Sequence, residues 1–470
     1  MAQYSAVDPR VFRTYDIRAL VPDLVDESSI YFGEVGTPDC FQASLLAAGV
    51  RTIGRALAAF VEEDTIVIGY DARISSPEWA SALGDGISSL GKNVIDIGLA
   101  STDMIYYASG SMNLPAVMIT ASHCTKELNG MKIVRSGARV VGKGSGMDEL
   151  RDLAVENNFI PAEVPGKVVA QDLWGLYIPH LMQFADPESV HPFRIIADAG
   201  NGVGGAVAHR LLEKLPQLNV TELFFEPDGT FPNHEANPFE RENIELLIER
   251  VTEDKADFGV AWDGDADRVF FVDEMGEPVP GDFITTLVAR YFLKRNPGAA
   301  IVYDLRASRA VAEWVNRLGG LAVAERVGHS YIKQTMRAQN AVFGGEVSGH
   351  YYFRDHYYAD NGFIPLLAVL QMLSEQKIKL SELVASLGKY YVSGEINSTV
   401  KDTGAVIERI MQKYSDAVID RKDGVSVDYA EWHFNVRPSA NDPLIRLNLE
   451  AGSQQEMENK RDEVLALIRE

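Results

Sequence analysis

The sequence predicts an α/β protein with three similar α/β domains followed by a smaller α+β C-terminal domain. Three observations carry that prediction. First, the chain has 470 residues, and at roughly 100–200 residues per domain this suggests three or four domains. Second, three stretches repeat one order of elements: strand, helix, strand, helix, strand, then a polar loop. Third, the pattern changes after residue 384, where helix and strand mix without that order.

The first repeat opens with the apolar run TIVIGYDAR (65–73) and a helix at Ser76-Pro77, with proline in a tolerated first-turn position. The strand NVIDIGLA, a helix from Thr102 and the strand AVMITASH (116–123) complete it. The second runs from RIIADAGNG (194–202) through a helix expected to reach Leu215, a second strand and the helix NIELLIERV. It ends at DFGVAWDGD (257–265). The third runs from AAIVYDLRAS (299–308) through the helix AVAEWVNRLG, the strand LAVAERVG and a helix from His329 to Arg337. It ends at AVFGGEVSGH (341–350). Apolar strands alternating with amphipathic helices predict parallel pairing with helices on the faces. Ligands then bind beyond the carboxyl ends of the strands, where each repeat has its most polar loop. Linkers are expected at PAEVPGK (161–167), near Val272–Gly281 and near Lys377–Ser393. They give domains at 1–162, 163–273, 274–384 and 385–470. In the last domain, VRPSANDPLIRLNLEA (436–451) reads as a loop leading into an alternating strand.

Composition narrows the function classes. Hydrophobic residues make up 46% and charged residues 24% of the chain, ordinary for a globular protein. No apolar run approaches the ~18 residues of a membrane span. The first residues, MAQYSAVDPRVF, lack the basic and apolar segments of a signal peptide. Two cysteines, Cys40 and Cys124, cannot build a disulfide framework. A cytoplasmic location is the expectation. The net charge of −23 argues against nucleic acid and anionic membranes as partners. A small anionic substrate would need locally gathered arginine and lysine.

Two loops point to phosphoryl chemistry. Asp263, Asp265 and Asp267 alternate with small residues ahead of Arg268, so three carboxylates can turn to one point. Hard oxygen ligands suit Mg²⁺. An EF-hand would need glycine at its sixth position, where this loop has Arg268. A solvated acidic turn is the plain alternative, but three uncompensated carboxylates repel one another. Ser122, beside His123 at the end of a buried strand, is a candidate nucleophile, although a serine there also serves as a helix cap. Lys132 follows in Asn129-Gly130-Met131-Lys132. A serine, a metal site and a lysine are parts that phosphoryl transfer requires.

Taken together, TASH with NGMK, DGDADR, GEVSGH, the RPS loop near the C-terminus and the opening FRTYDIR (12–18) resemble the α-D-phosphohexomutase family. The nearest branch is phosphomannomutase/phosphoglucomutase. The match runs from about residue 12 to 450 with the motifs in the family's order. The resemblance implies mixed, mainly parallel sheets in four domains around a central cleft. It implies reversible conversion of hexose 1-phosphate and hexose 6-phosphate, of mannose, glucose or both. Ser122 would carry the phosphate and hexose 1,6-bisphosphate would be the intermediate and activator. Mg²⁺ would sit on Asp263, Asp265, Asp267 and a phosphoserine oxygen. Lys132 and His350 would exchange protons with Arg18 assisting, Arg268 would neutralise charge, and His123 would flank the phosphoserine. Glu346 and Ser348 would grip two adjacent sugar hydroxyls. Tyr15, Arg306 and His329 would face the substrate, and Arg437, Ser439 and Asn441 would hold its phosphate. The implied partners are small hexose phosphates, with the oligomeric state left open.

The chain departs from the family at Ala440 and Asn441 in the phosphate loop, at Cys124-Thr125 after TASH, and at Ala19 after YDIR. The first pair keeps open a catalytically weak sugar-phosphate-binding relative. A phosphoglucosamine mutase is a further alternative, disfavoured by Val347, and a phosphatase in which phosphoserine leaks to water is another.

Overall fold

The computed structural model describes residues 4–33, 43–438 and 444–470. The chain forms two compact units. Unit 1 comprises Met1–Pro278 and His350–Leu380, and unit 2 comprises Val279–Gly349 and Ser381–Glu470.

Unit 1 contains the first two repeats. In the first, strands Ala116–Ile119, Thr65–Tyr70, Asn93–Leu99 and Val168–Ala170 lie side by side and parallel. Antiparallel strands extend the sheet on the other side: Leu128–Arg135 pairs with Ala116–Ile119, and Ile17–Leu20 pairs with Leu128–Arg135. Ala116–Ile119 is buried throughout, as an unbroken apolar strand between two neighbours must be. In the second repeat, Arg194–Asp198 lies between the parallel strands Asn219–Leu223 and Phe258–Trp262. Val269–Asp273 returns antiparallel against Phe258–Trp262, with Trp262 opposite Val269. Residues 263–268 are therefore a hairpin connection. The same unit takes the hairpin Tyr351–Phe353 with Ala359–Asp360 and the buried helix Ile364–Gln376.

In unit 2, Ala300–Asp304 lies between the parallel strands Leu321–Glu325 and Phe343–Gly345. The C-terminal part is an antiparallel sheet in the order Tyr391–Val392, Leu444–Ala451, Trp432–Pro438, Val425–Asp428 and Val418–Asp420, with Ile396–Thr399 also paired to Leu444–Ala451. Helices Thr403–Lys413 and Gln454–Arg469 pack on it, and side chains of Asp402 and Ser453 cap their first turns.

The α/β class and the C-terminal α+β region stand as expected. Several local expectations differ. The helix expected to reach Leu215 is Gly204–Leu212, because Leu215 precedes Pro216, which disfavours the helical conformation before it. Val436–Pro438, read as loop, belongs to the strand Trp432–Pro438, paired as far as Pro438 with Ile445. The linker expected from Val272 begins inside a strand, and the one near Lys377–Ser393 contains the helix Leu380–Ala385. Among the described residues no helix is long and apolar enough to cross a membrane.

Candidate active site

Strand Ala116–Ile119 ends just before Thr120, and the chain turns sharply. Ser122 takes φ of 53°, in the left-handed region that non-glycine residues rarely enter. Such strain persists only where surroundings over-determine it. Here Thr120 Oγ1 accepts from the Ser122 amide at 2.8 Å. Arg73, 1% exposed, donates to the carbonyls of Ser122 at 2.7 Å, Cys124 at 2.6 Å, Thr125 at 2.7 Å and Leu128 at 2.8 Å. One guanidinium thus ties down the whole turn. Ser122 Oγ donates to Asp263 Oδ2 at 2.9 Å and lies 3.2 Å from His123 Nδ1. Burial, then the Arg268 and Arg18 charges, hold His123 well below the usual imidazole range, so its ring is neutral.

The loop from Asp263 comes from the neighbouring repeat and packs directly on that turn. A Cβ on Gly264 would meet Ser122 O at 2.5 Å, so only glycine fits there. Asp263, Asp265 and Asp267 are essentially fully buried, with carboxylate oxygens within 4.8 Å of one another. Arg268 Nε donates to Asp263 Oδ2 at 2.8 Å. Lys132 Nζ donates to Asp265 Oδ2 at 2.6 Å and also to Asp267 Oδ2. Thr102, at the start of the helix Thr102–Met112, donates its hydroxyl to Asp265 Oδ2 at 2.5 Å. Burial pushes Asp263 up against the pull of Arg268, and burial with the Asp265 charge raises Asp267 well above its ordinary value. Burial would raise Asp265 too, but Lys132 and Thr102 outweigh it and hold that carboxyl low. Asp265 Oδ1 and Asp267 Oδ1 are buried and accept no hydrogen bond. Buried acceptors without donors are costly. Three hard carboxylates with two such oxygens fit a Mg²⁺ ion.

Lys132 reaches this group because strand Leu128–Arg135 runs antiparallel to Ala116–Ile119, with Lys132 opposite Met118. Burial would lower its pKa, but Asp265 and Asp267 outweigh that and keep it a charged ammonium. His350 forms a backbone bridge with Arg268, and its Nε2 lies 3.6 Å from Asp267 Oδ1. Arg18 donates to Ala121 O at 2.9 Å and pairs with Asp16 and the Cys124 thiol. Tyr15 lies half-buried in the bend before strand Ile17–Leu20. Unit 1 therefore brings Ser122, His123, Lys132, Arg18, Arg268, His350 and the three aspartates to one place.

Unit 2 holds the remaining described candidates. Glu346 is buried and accepts from Ser348 Oγ at 3.0 Å and from the Gly328 amide at 3.3 Å. His329 opens the helix His329–Gln339. Arg306, in the turn just after Ala300–Asp304, pairs with Asp304 at 2.8 Å and Glu395 at 3.1 Å. Arg437 pairs with Glu395 at 3.2 Å. Ser439 and Asn441, with Ala440, lie outside the described residues. Sequence reading missed Arg73, Thr102, Asp360 and Glu395. Arg73 ends the quoted run TIVIGYDAR and Glu395 falls just past an expected linker, but a contact partner far along the chain leaves no local pattern. Asp360 joins Asp267 and His350 as a second group of possible metal ligands.

Comparisons with known proteins match most of the chain. The chain matches the models for phosphoglucomutase/phosphomannomutase alpha/beta/alpha domain I over residues 9–145, domain II over 176–276 and domain III over 280–391, and for the C-terminal domain over 395–467. A protein of Xanthomonas campestris described as phosphohexose mutases is 37% identical over 463 residues, 97% of this chain and 99% of the relative. A phosphomannomutase of Escherichia coli is 35% identical over 470 residues, again 97% and 99% of the two chains. The crystal structure of a phosphoglucomutase/phosphomannomutase family protein from Burkholderia thailandensis superposes with a TM-score of 0.85 at 29% identity, covering 98% of this chain and 97% of that one.

Proposed function

The chain belongs to the phosphoglucomutase/phosphomannomutase family and is an intramolecular phosphotransferase; from that premise we propose that it interconverts hexose 1-phosphate and hexose 6-phosphate, of mannose, glucose or both, through a phosphorylated Ser122. The observation that carries this reading is Ser122 Oγ, 2.9 Å from Asp263, at the edge of three buried carboxylates. Asp263, Asp265 and Asp267 would hold Mg²⁺, which supplies positive charge beside a transferring phosphoryl group.

In the first half-reaction a sugar hydroxyl attacks the phosphorus on Ser122. The bond from phosphorus to Ser122 Oγ breaks as the bond to the sugar oxygen forms, giving a hexose 1,6-bisphosphate. His350 and Lys132 between them accept the hydroxyl proton and deliver one to Ser122 Oγ. In the second half-reaction Ser122 Oγ takes the other phosphate and the freed sugar oxygen regains a proton, so no atoms are gained or lost. Arg268 and Arg18 offset the developing charge. His123, neutral, accepts or donates a hydrogen bond beside Ser122. In unit 2, Glu346 and Ser348 present an acceptor and a hydroxyl to adjacent sugar hydroxyls. Arg306, His329 and Arg437 meet the other phosphate, with Ser439, Asn441 and Tyr15 as further contacts. The same reading places the enzyme in the cytoplasm, with hexose 1,6-bisphosphate as activator and no nucleic-acid partner.

The test is ³¹P NMR of wild type and Ser122→Ala with Mg²⁺, a trace of glucose 1,6-bisphosphate, and glucose 1-phosphate or mannose 1-phosphate. Wild type should build a 6-phosphate signal and the variant should not. Undiminished isomerisation by Ser122→Ala would sink the phosphoserine reading.

A further inference from the structure

Glu395 carries no part of the reaction described above, yet it pairs with three arginines. It lies between strands Tyr391–Val392 and Ile396–Thr399, with its side chain 8% exposed. Oε2 accepts from Arg306 Nη1 at 3.1 Å and from Arg437 Nη2 at 3.2 Å, and Oε1 accepts from Arg446 Nη1 at 2.9 Å. The three arginines come from one turn and two strands. Arg306 lies in the turn just after Ala300–Asp304, and Arg437 and Arg446 stand directly opposite each other on Trp432–Pro438 and Leu444–Ala451. Like charges facing across a strand pair are destabilising unless a counter-charge separates them. Arg306 adds a third like charge: burial and then Arg306 pull the Arg437 guanidinium below the usual range, against the pull of Glu395.

We propose that Glu395 is a positioning residue that converges Arg306, Arg437 and Arg446 into one three-arginine cradle for the non-transferring phosphate of the substrate, with Arg446 as a direct phosphate contact. The proposal rests on the reading above that Arg306 and Arg437 hold that phosphate. Three guanidiniums against Glu395 and Asp304 leave a net positive cradle, and a phosphate dianion offers the acceptors that fork-shaped donors match. Removing Glu395 does not simply free three arginines. It leaves them to repel one another, so they splay and the phosphate loses its preformed partners.

The experiment compares wild type, Glu395→Gln, Glu395→Asp, Arg446→Gln and Arg437→Met in the full chain. It reads KM and kcat for the isomerisation, Ki for inorganic phosphate, and thermal stability. Glu395→Gln should raise KM and the phosphate Ki about tenfold or more while kcat at saturation changes little, the signature of lost binding rather than lost chemistry. Glu395→Asp, which keeps the charge, should recover part of that loss, and Arg446→Gln should raise both constants. Should Glu395→Gln fail to fold, Glu395→Asp and Arg446→Gln carry the test. Unchanged or lowered KM in Glu395→Gln, or unchanged constants in Arg446→Gln, would overturn the proposal. Should Arg437→Met also leave both constants unchanged, the phosphate-holding reading falls with it. A rise in Arg437→Met alone would overturn only the role of Glu395 and Arg446.

Discussion

Replacing Gly264 by alanine adds one methyl group where two loops of unit 1 meet. The new Cβ would lie 2.5 Å from Ser122 O. A relaxed carbon–oxygen contact needs about 3.4 Å, so the loops must part by about 1 Å. Neither side yields freely. Gly264 donates to Ala236 O at 3.2 Å and accepts from the Val203 amide at 3.1 Å, while Arg73 holds Ser122 O at 2.7 Å. The separation therefore falls on the 2.9 Å hydrogen bond from Ser122 to Asp263. A misplacement of about 1 Å at reacting groups costs about a hundredfold in rate. Overpacking of a close contact costs about 1–3 kcal/mol of stability. The assay is kcat for conversion of glucose 1-phosphate at saturating substrate and Mg²⁺, with thermal melts alongside. The expected result is a folded protein with kcat down about a hundredfold. A kcat within about threefold of wild type would show that the contact between the loops does not set the reaction geometry.

Two further outcomes follow from the same region. Asp265→Asn removes one of three clustered carboxylates and should weaken Mn²⁺ or Mg²⁺ binding, read by calorimetry without substrate, by at least about tenfold; an unchanged dissociation constant would remove Asp265 from the metal site. Asp103 is buried and burial raises its carboxyl from 3.8 to about 7. Between those values the native state holds a proton that the unfolded chain has lost, so stability falls as pH rises through that window and levels off above it. Asp103→Asn should abolish that fall, which is at most about 1.4 kcal/mol per pH unit. Melting curves of the two proteins that run parallel from pH 4.5 to pH 8 would refute the assignment.

The fold was largely legible because its signals are local. An unbroken apolar run such as AVMIT (116–120) has few ways to be buried other than as an inner strand, and alternating helices dictate parallel neighbours. Mixed sheets are part of the expectation, but which strand runs antiparallel is not. Nothing in the sequence of strand Leu128–Arg135 announces its direction. That direction is what carries Lys132 to Asp265 and Asp267. Pro216 marks in the sequence why the helix ends by Leu212, while the proline and serine at 438–439 read as a turn although Val436–Pro438 is strand.

The sequence by itself determined which groups the candidate site draws on: a serine and three carboxylates in polar loops after strands, with a lysine and arginines nearby in the motifs. Residue type and spacing encode that information. Only the tertiary structure decided how those groups are held. Arg73 fastening the Ser122 turn, Gly264 fitting under Ser122 O, and Glu395 gathering Arg306, Arg437 and Arg446 all join residues far apart in the chain. Close approach and charge compensation are properties of neighbours in space. A single sequence records those neighbours only after the chain has folded.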